Sequence, residues 1–411
     1  MLTNKKIELL NSNISHYQMM LELQRKWKQW SSSKPSIFVS YNGHAFDEEL
    51  VRRQFWFNLL EPYTTNTNGN GRLDLMLMIH NIASFFSSEI SMPLFNGGPG
   101  ISYKLEHLAK EHKINAEDAH DAIADCNLMI SLCEIIKEKL PEVFQSFINT
   151  STKQGIKELL YSDSFLALGE IHRRHVFQYP VVFCGSDPSR PNEIVLFDLS
   201  YDPEDILDLD YSEINKLIQA KGRDGPLKKY KINKTIPVCS SKLLKNKKVF
   251  DISFQELQKR ADRVRNDKDF QSKISQAMED RMMSFPEPEH IEASIYSGGF
   301  PTQRDKDLMQ EFHLTDSKEL RIKISRNFED DRFKIFAERI ICSQYAPDVP
   351  EDMIARYNEL LQERTTTDGK WGSISKSITE IDEMLEKDLS IEDSKILKAT
   401  KDKLSSMVFD A

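Results

Sequence analysis

Three regions of different hydrophobic patterning follow one another along this sequence, and no single layer of secondary structure accommodates all of them. From Ser253 onward apolar residues recur at helical spacing, in the stretches 254–283, 302–312, 328–345, 351–364 and 374–407. Before that, 176–184 and 193–199 read as strands, separated by the turn-forming GSDPSRPN. The first 150 residues mix the two kinds. A β-branched run, SIFVSY at 36–41, gives way at Asn42-Gly43 to a helical pattern over 47–60, and a buried segment is expected at 73–79. The pattern therefore predicts an α/β part, a small β part and a helical part, with boundaries near residues 150 and 252. The domains expected are 1–150, 151–252 and 253–411. Residues 365–373, TTTDGKWGS, read as the most exposed loop of the last one. A helix ending at Trp30 is expected to turn Tyr17, Met20, Leu21, Leu23, Trp27 and Trp30 to one side.

With 411 residues and 39% apolar content, the chain is long enough for two or three folded domains, and disorder throughout is excluded. The polar N-terminus, MLTNKKIELLNSNISHYQ, lacks the apolar core of a signal peptide or membrane span, so a cytoplasmic location is expected. Five scattered cysteines without a CxxC pair argue against zinc and against a disulfide framework.

A net charge of −9 speaks against a nucleic-acid partner on average, but residues 226–250 hold eight lysines and no acid. That block has the footprint of a phosphate-binding surface, and a lysine-rich solvated loop would look the same. The basic run His172 to His175, HRRH, has the same two readings: a path for a nucleic-acid strand, or ordinary sheet surface.

Asp125 stands along an apolar helical stripe formed by Ala122, Cys126, Met129, Ile130, Cys133 and Ile136. A carboxylate taken out of water calls for a cation or several donors, which points to a metal or a strong partner. His120, five residues earlier, is suited to act as a general base on water. Asp118 or Asp121 serves equally well as a helix cap. Asp47, at the start of the 47–60 helix, has two readings as well: a metal ligand, or an N-cap with Phe46 and Val51 as its hydrophobic staple.

Three separated motifs, YNGHAFDEELVRRQFWFNLLEPY, NGRLD and SYKLEHLAKEHKINAEDAHDAIAD, resemble bacterial exonuclease I, a family of the DnaQ-like 3′ to 5′ exonucleases. NEIVLFDLSYDP, YKINKTIPV and IEASIYSGGFPTQRD extend the resemblance over essentially the whole chain. It implies a truncated ribonuclease-H-like exonuclease domain, an SH3-like β domain and a C-terminal helical domain. It further implies a single-stranded-DNA-specific 3′ to 5′ exodeoxyribonuclease of DNA repair and recombination, releasing 5′-mononucleotides by two-metal hydrolysis. Mg²⁺, or alternatively Mn²⁺, suits such a carboxylate site. Carried over by motif, Asp47 and Asp125 are metal ligands, and His120 is the general base. Arg52, Lys104 and His80 contact the substrate, Lys104 standing where the family usually has an arginine and so keeping the charge but losing the bidentate fork. The partners implied are single-stranded DNA and the C-terminal tail of single-stranded-DNA-binding protein, with the chain a monomer.

The departure from the family lies at the front. The Asp-x-Glu strand with which such nucleases begin has no counterpart: the first 46 residues contain no Asp, and their only acids are Glu8 and Glu22. Some 50 to 70 residues, three strands with their turns, are expected to be missing on ordinary element lengths, as from an incomplete gene model or a late start. Catalytic impairment of the chain is then expected, and the strand at 36–41 is left at a sheet edge. The alternatives are a non-catalytic single-stranded-DNA binder and a helical interaction protein on the same scaffold.

Overall fold

The computed structural model describes residues 14–95, 98–115, 122–220, 224–245, 247–281, 287–367 and 372–409. In chain order come helix α1 (His16–Trp30), strand β1 (Ile37–Ser40), α2 (Asp47–Phe57), β2 (Gly71–Asp74) and α3 (Leu75–Phe85). Helices α4 (Leu105–Glu111), α5 (Ala122–Lys139), α6 (Pro141–Asn149) and α7 (Lys153–Ser162) lead into strands β3 (Leu166–His172), β4 (His175–Ser186) and β5 (Glu193–Asp198). After α8 (Glu204–Leu207) and α9 (Tyr211–Gln219) come β6 (Leu227–Lys231) and β7 (Val238–Ser240). Helices follow: α10 (Phe254–Asn266), α11 (Lys268–Glu279), α12 (Gln303–Leu314), α13 (Lys318–Ser325), α14 (Asp331–Tyr345), α15 (Glu351–Thr366), α16 (Ile374–Leu385) and α17 (Ile391–Phe409). The α/β, β and α succession expected from the periods is what the chain forms.

The described residues of 28–50 and 63–286 make one compact unit, and those of 1–27, 51–62 and 287–411 make another. The first contains both sheets. β1 and β2 pair in parallel, Ile37 to Gly71 through Ser40 to Asp74. Five antiparallel strands form the other sheet in the order β6-β5-β4-β3-β7. Its apolar positions alternate between two cores, as period-2 side chains must. Leu166, Leu168, Val181, Ile194, Leu196 and Val238 pack with Ile156 and Leu160 of α7. Val182, Cys184, Val195 and Phe197 meet α9, α10 and α11 on the opposite face. Helix α3, apolar nearly all round and buried over most of its length, anchors a third core with α5 and α6. Asn81 of α3 fixes it to the larger sheet, its amide donating to the carbonyls of Ala167 at 3.1 Å and Pro237 at 2.9 Å.

Several expectations need correction. The boundary near 252 separates α10 and α11 from the sheet they cover: Leu257, Ala261, Val264, Phe270 and Ile274 are buried in its core. Period identifies a helix but not the surface it packs on. The described part of the stretch 254–283 holds two helices, broken at Asp267, whose carboxylate accepts from the Phe270 N–H at 2.8 Å and caps α11. Likewise 374–407 divides into α16 and α17, with Ser390 accepting from the Asp393 N–H at 3.0 Å. In α1 the buried residues are Tyr17, Met20 and Gln24, whereas Trp30 is 60% exposed. Of the loop 365–373, the central residues 368–371 lie outside the described ones.

In the helical unit Tyr17, Trp56, Leu59, Phe312, Phe333, Phe336 and Ile341 form one core. Val51, expected to staple to Phe46, packs instead with Met20, Phe55 and Leu60, while Phe46 is 65% exposed.

Candidate active site

In a parallel sheet the carboxyl ends of the strands are where ligand-binding loops gather. Ser40 and Asp74 face each other at those ends of β1 and β2. Asp74 is 1% exposed. Its Oδ1 accepts from the N–H groups of Asn42 at 2.8 Å and Met76 at 3.1 Å, and its Oδ2 from the His44 N–H at 3.3 Å. One carboxylate thus caps α3 and shapes the loop from β1 to α2. Burial raises its pKa, against the pull of those donors.

The same loop enters a second set of contacts. The Thr235 N–H donates to His44 Nε2 at 2.9 Å, which leaves the ring proton on Nδ1, facing Glu48 Oε1 at 2.8 Å. Thr235 Oγ1 in turn accepts from the Asp74 N–H at 2.8 Å. Arg72, 5% exposed, joins Glu48 to the Asn233 carbonyl through its guanidinium. Burial works to raise the Glu48 carboxyl, but His44 and Arg72 outweigh it and hold it below its ordinary value. His44 and Glu48, Arg72 and Asp74, and Asn233 and Thr235 come from three segments far apart in the chain, YNGHAFDEE, NGRLD and YKINKTIPV. Their convergence in one buried knot is invisible to period or composition. The one local hint is a charged pair, Arg72 and Asp74, inside an otherwise apolar stretch.

Asp47 follows directly, exposed in the first turn of α2. It leans back over the turn: a β-carbon on Gly43 would stand 3.4 Å from Asp47 Oδ2 and collide with Ser40. The knot fixes the backbone on both sides of this carboxylate.

Asp125 departs from the expectation of a buried stripe. Helix α5 buries Leu128, Leu132 and Ile136, whereas Ile130 is 57% exposed and Cys126 is exposed. Asp125 lies one turn before Leu128, half-buried. Of the expected stripe, Ile136 is in the core and Met129 and Cys133 pack partly buried against it, while Leu128 and Leu132 fill the rest. His120, Asp118 and Asp121 lie outside the described residues. Asp47 and Asp125 offer the oxygen donors a hard divalent ion takes. Among the described residues no three His, Cys, Asp or Glu side chains converge as a metal site would require.

The expected substrate residues are placed differently from one another. Lys104 precedes α4 with its ammonium 3.6 Å from Glu106, largely exposed. His80 is buried, its ring edge-on to Tyr103 at 5.3 Å. Tyr41, at the end of β1, donates to the Tyr103 carbonyl, and burial holds its hydroxyl well above the ordinary pKa. In the helical unit, Arg52 donates to the Tyr296 hydroxyl at 3.0 Å.

Much of the lysine block is committed inside the fold. Lys228 is 7% exposed, 3.5 Å from Asp198 and 4.1 Å from the Tyr179 ring centroid. Lys229 closes the end of α9 on the carbonyls of Ile218 and Ala220, and Lys231 pairs with Glu193 at 3.3 Å. Lys234 reaches the His44 carbonyl at 3.1 Å, and Lys242 and Lys247 pair with Asp163 and Glu89. Lys245 and Lys248 remain exposed. The acids that answer these lysines lie elsewhere in the sequence, so a window over 226–250 could not show them. The HRRH run is a hairpin tip: Arg173 and Arg174 take positive φ, and the Arg174 guanidinium lies over the Phe95 ring at 3.3 Å.

Comparison with known proteins bears on this arrangement. The family model for the exonuclease I SH3-like domain matches residues 167–280, and that for the exonuclease I C-terminal domain matches 289–406. Exodeoxyribonuclease I of Haemophilus influenzae is 26% identical over 296 residues, which are 67% of this chain and 61% of that protein. The Escherichia coli protein of the same name is 27% identical over 212 residues, 48% of this chain and 44% of its own length. The chain therefore spans less than two thirds of the length of these relatives. The fold of exonuclease I from Methylocaldum szegediense matches with a TM-score of 0.73 at 22% identity, covering 97% of this chain and 85% of that one. The E. coli enzyme in complex with a dA16 oligonucleotide matches with a TM-score of 0.74 at 20% identity, covering 96% and 84%. The two family models lie end to end over more than half of the sequence, and of the three segments that meet in the knot beside Asp47, YNGHAFDEE and NGRLD lie outside both matches while YKINKTIPV lies inside the first. The chain belongs to the bacterial exonuclease I family.

Proposed function

We propose that this chain acts on single-stranded DNA as a 3′ to 5′ exodeoxyribonuclease of the exonuclease I type. The observation that carries the reading is the fixing of Asp47 at the carboxyl end of the parallel strands by a buried knot built from three family motifs. Asp47 and Asp125 are the residues that would hold divalent metal, Mg²⁺ with Mn²⁺ as substitute, and His120 is the base that takes a proton from water. Bound in a pair, such ions activate the attacking water and stabilise the leaving 3′ oxygen. Arg52 and Lys104 answer the phosphates, and His80, from beneath Tyr103, supports the segment carrying Lys104. The relatives' structures include one described as an exonuclease I complex with the C-terminal peptide of single-stranded-DNA-binding protein. We infer the same partner here, for a cytoplasmic monomer.

We infer further that the chain as it stands turns over slowly. It holds no Asp-x-Glu pair ahead of Asp47, so two carboxylates carry the charge of two divalent ions. Displacing a reacting group by about 1 Å costs on the order of a hundredfold. The test is nucleotide release from a 3′-ended single strand with Mg²⁺ titrated, comparing this chain with the same chain joined to an Asp-x-Glu strand. Activity in the joined form that His120→Ala slows, and that Asp125→Asn shifts to higher Mg²⁺, supports the reading. Equal rates from the two forms would remove the impairment argument. An inactive joined form that still binds the strand would favour a non-catalytic DNA binder.

A further inference from the structure

The helical unit carries two exposed aromatic residues, Tyr296 and Phe300, at the ends of a pinned loop. Residues 297–300, Ser-Gly-Gly-Phe, form a loop with both glycines in the left-handed region, φ +77° at Gly298 and +80° at Gly299, where a side chain would strain the backbone. One guanidinium, that of Arg332, donates to the carbonyls of Ser294 at 3.0 Å, Gly298 at 3.0 Å and Gly299 at 3.1 Å, and also to that of Ser297. Asp330 grips the same group, 2.9 Å from Nε and 2.6 Å from the terminal nitrogen, and the guanidinium lies 5.1 Å from the Trp56 ring centroid. Moving the loop would strand four carbonyls and a charge, so it is pinned.

This loop holds Phe300 80% exposed, with Tyr296 58% exposed at its near end. Beside Tyr296 stand two arginines of α2. Arg52 bonds the Tyr296 hydroxyl at 3.0 Å, and the Arg53 guanidinium lies 5.8 Å from the Tyr296 ring centroid. Exposed aromatic side chains on a pinned loop, with guanidinium groups at Tyr296, match single-stranded nucleic acid, whose bases stack and whose phosphates take arginine.

We propose that Phe300 and Tyr296 form a stacking platform for bases of single-stranded DNA, with Arg52 and Arg53 on the adjoining phosphates. This rests on the reading of the chain as a protein of single-stranded DNA. The test uses the full chain in EDTA, which keeps the strand intact, and a thymidine oligonucleotide carrying one 5-iododeoxyuridine. Phe300→Ala weakens binding by roughly five- to a hundredfold, the range for one base on one ring, without changing the salt slope. Phe300→Leu, which keeps the bulk but not the ring, loses a comparable amount, and Phe300→Trp restores it. Photocrosslinks map to Phe300 or Tyr296. Unchanged affinity in Phe300→Ala and Tyr296→Ala, with crosslinks elsewhere, would overturn the platform and leave the functional reading standing. A wild-type chain that binds no single strand at all would defeat both.

Discussion

Removing the Arg72 guanidinium tests whether the knot beside Asp47 is a unit. Its side chain is 5% exposed and that of Glu48 13%, with His44, also 5% exposed, on the other side of the carboxylate. Taking one partner from a pair this buried leaves a carboxylate with half its support, a loss of about 3 to 5 kcal/mol in comparable cases. Because His44 still faces Glu48, we expect the lower end, about 3 kcal/mol, for Arg72→Ala. Arg72→Met with Glu48→Gln removes both charges together and should cost less than the sum of the singles by about 1 to 2 kcal/mol. The assay is urea unfolding followed by circular dichroism, completed as a double-mutant cycle. A pH series adds an independent check. The folded Glu48 carboxyl is held below its ordinary value, so its contribution is complete above the unfolded pKa, about 4.3, and is lost as pH falls through the folded one. Glu48→Gln should therefore flatten the acid limb of the stability profile. Asp74, held above its ordinary value by burial, works in the opposite sense and is unaffected by that substitution to first order. An Arg72→Ala cost below about 1 kcal/mol, or strict additivity in the cycle, would refute the account.

Lys228→Ala should destabilise the chain by about 2 to 4 kcal/mol by stranding Asp198, with strand affinity in the folded protein little changed. Lys245→Glu with Lys248→Glu should leave stability alone and lower both strand affinity and its salt slope, by roughly 0.7 for each phosphate no longer neutralised, read from titrations at several salt concentrations. Of the five thiols, Cys126 should react first with an alkylating reagent near neutral pH, as mass spectrometry would show. Burial pushes Cys133 and Cys342 up to about 11 and Cys239 to about 12, and raises Cys184 further still. Rapid labelling of Cys184 or Cys239 in the folded chain would contradict the packing of the sheet.

The sequence by itself determined the succession of α/β, β and α parts, because period is a local property: β1, β4, β5 and most helices stand within a few residues of where the pattern places them. It also carried family membership, through motifs whose residue types survive at modest identity. Tertiary structure decided everything that depends on a partner distant in the chain. Asp125 looked buried because Cys126 and Ile130 are apolar, yet α5 turns its leucines to the core. Eight lysines within twenty-five residues looked like one charged surface, until the fold supplied Asp198, Glu193, Asp163 and Glu89 to six of them or closed them on carbonyls. Helices α10 and α11 looked like the start of the helical part, but the outer face of the five-stranded sheet needs apolar cover and they provide it. His44, Glu48, Arg72, Asp74 and Thr235 carried no signal individually. A buried polar group is tolerable only when its partners are in place, and three segments must fold together before any of them is.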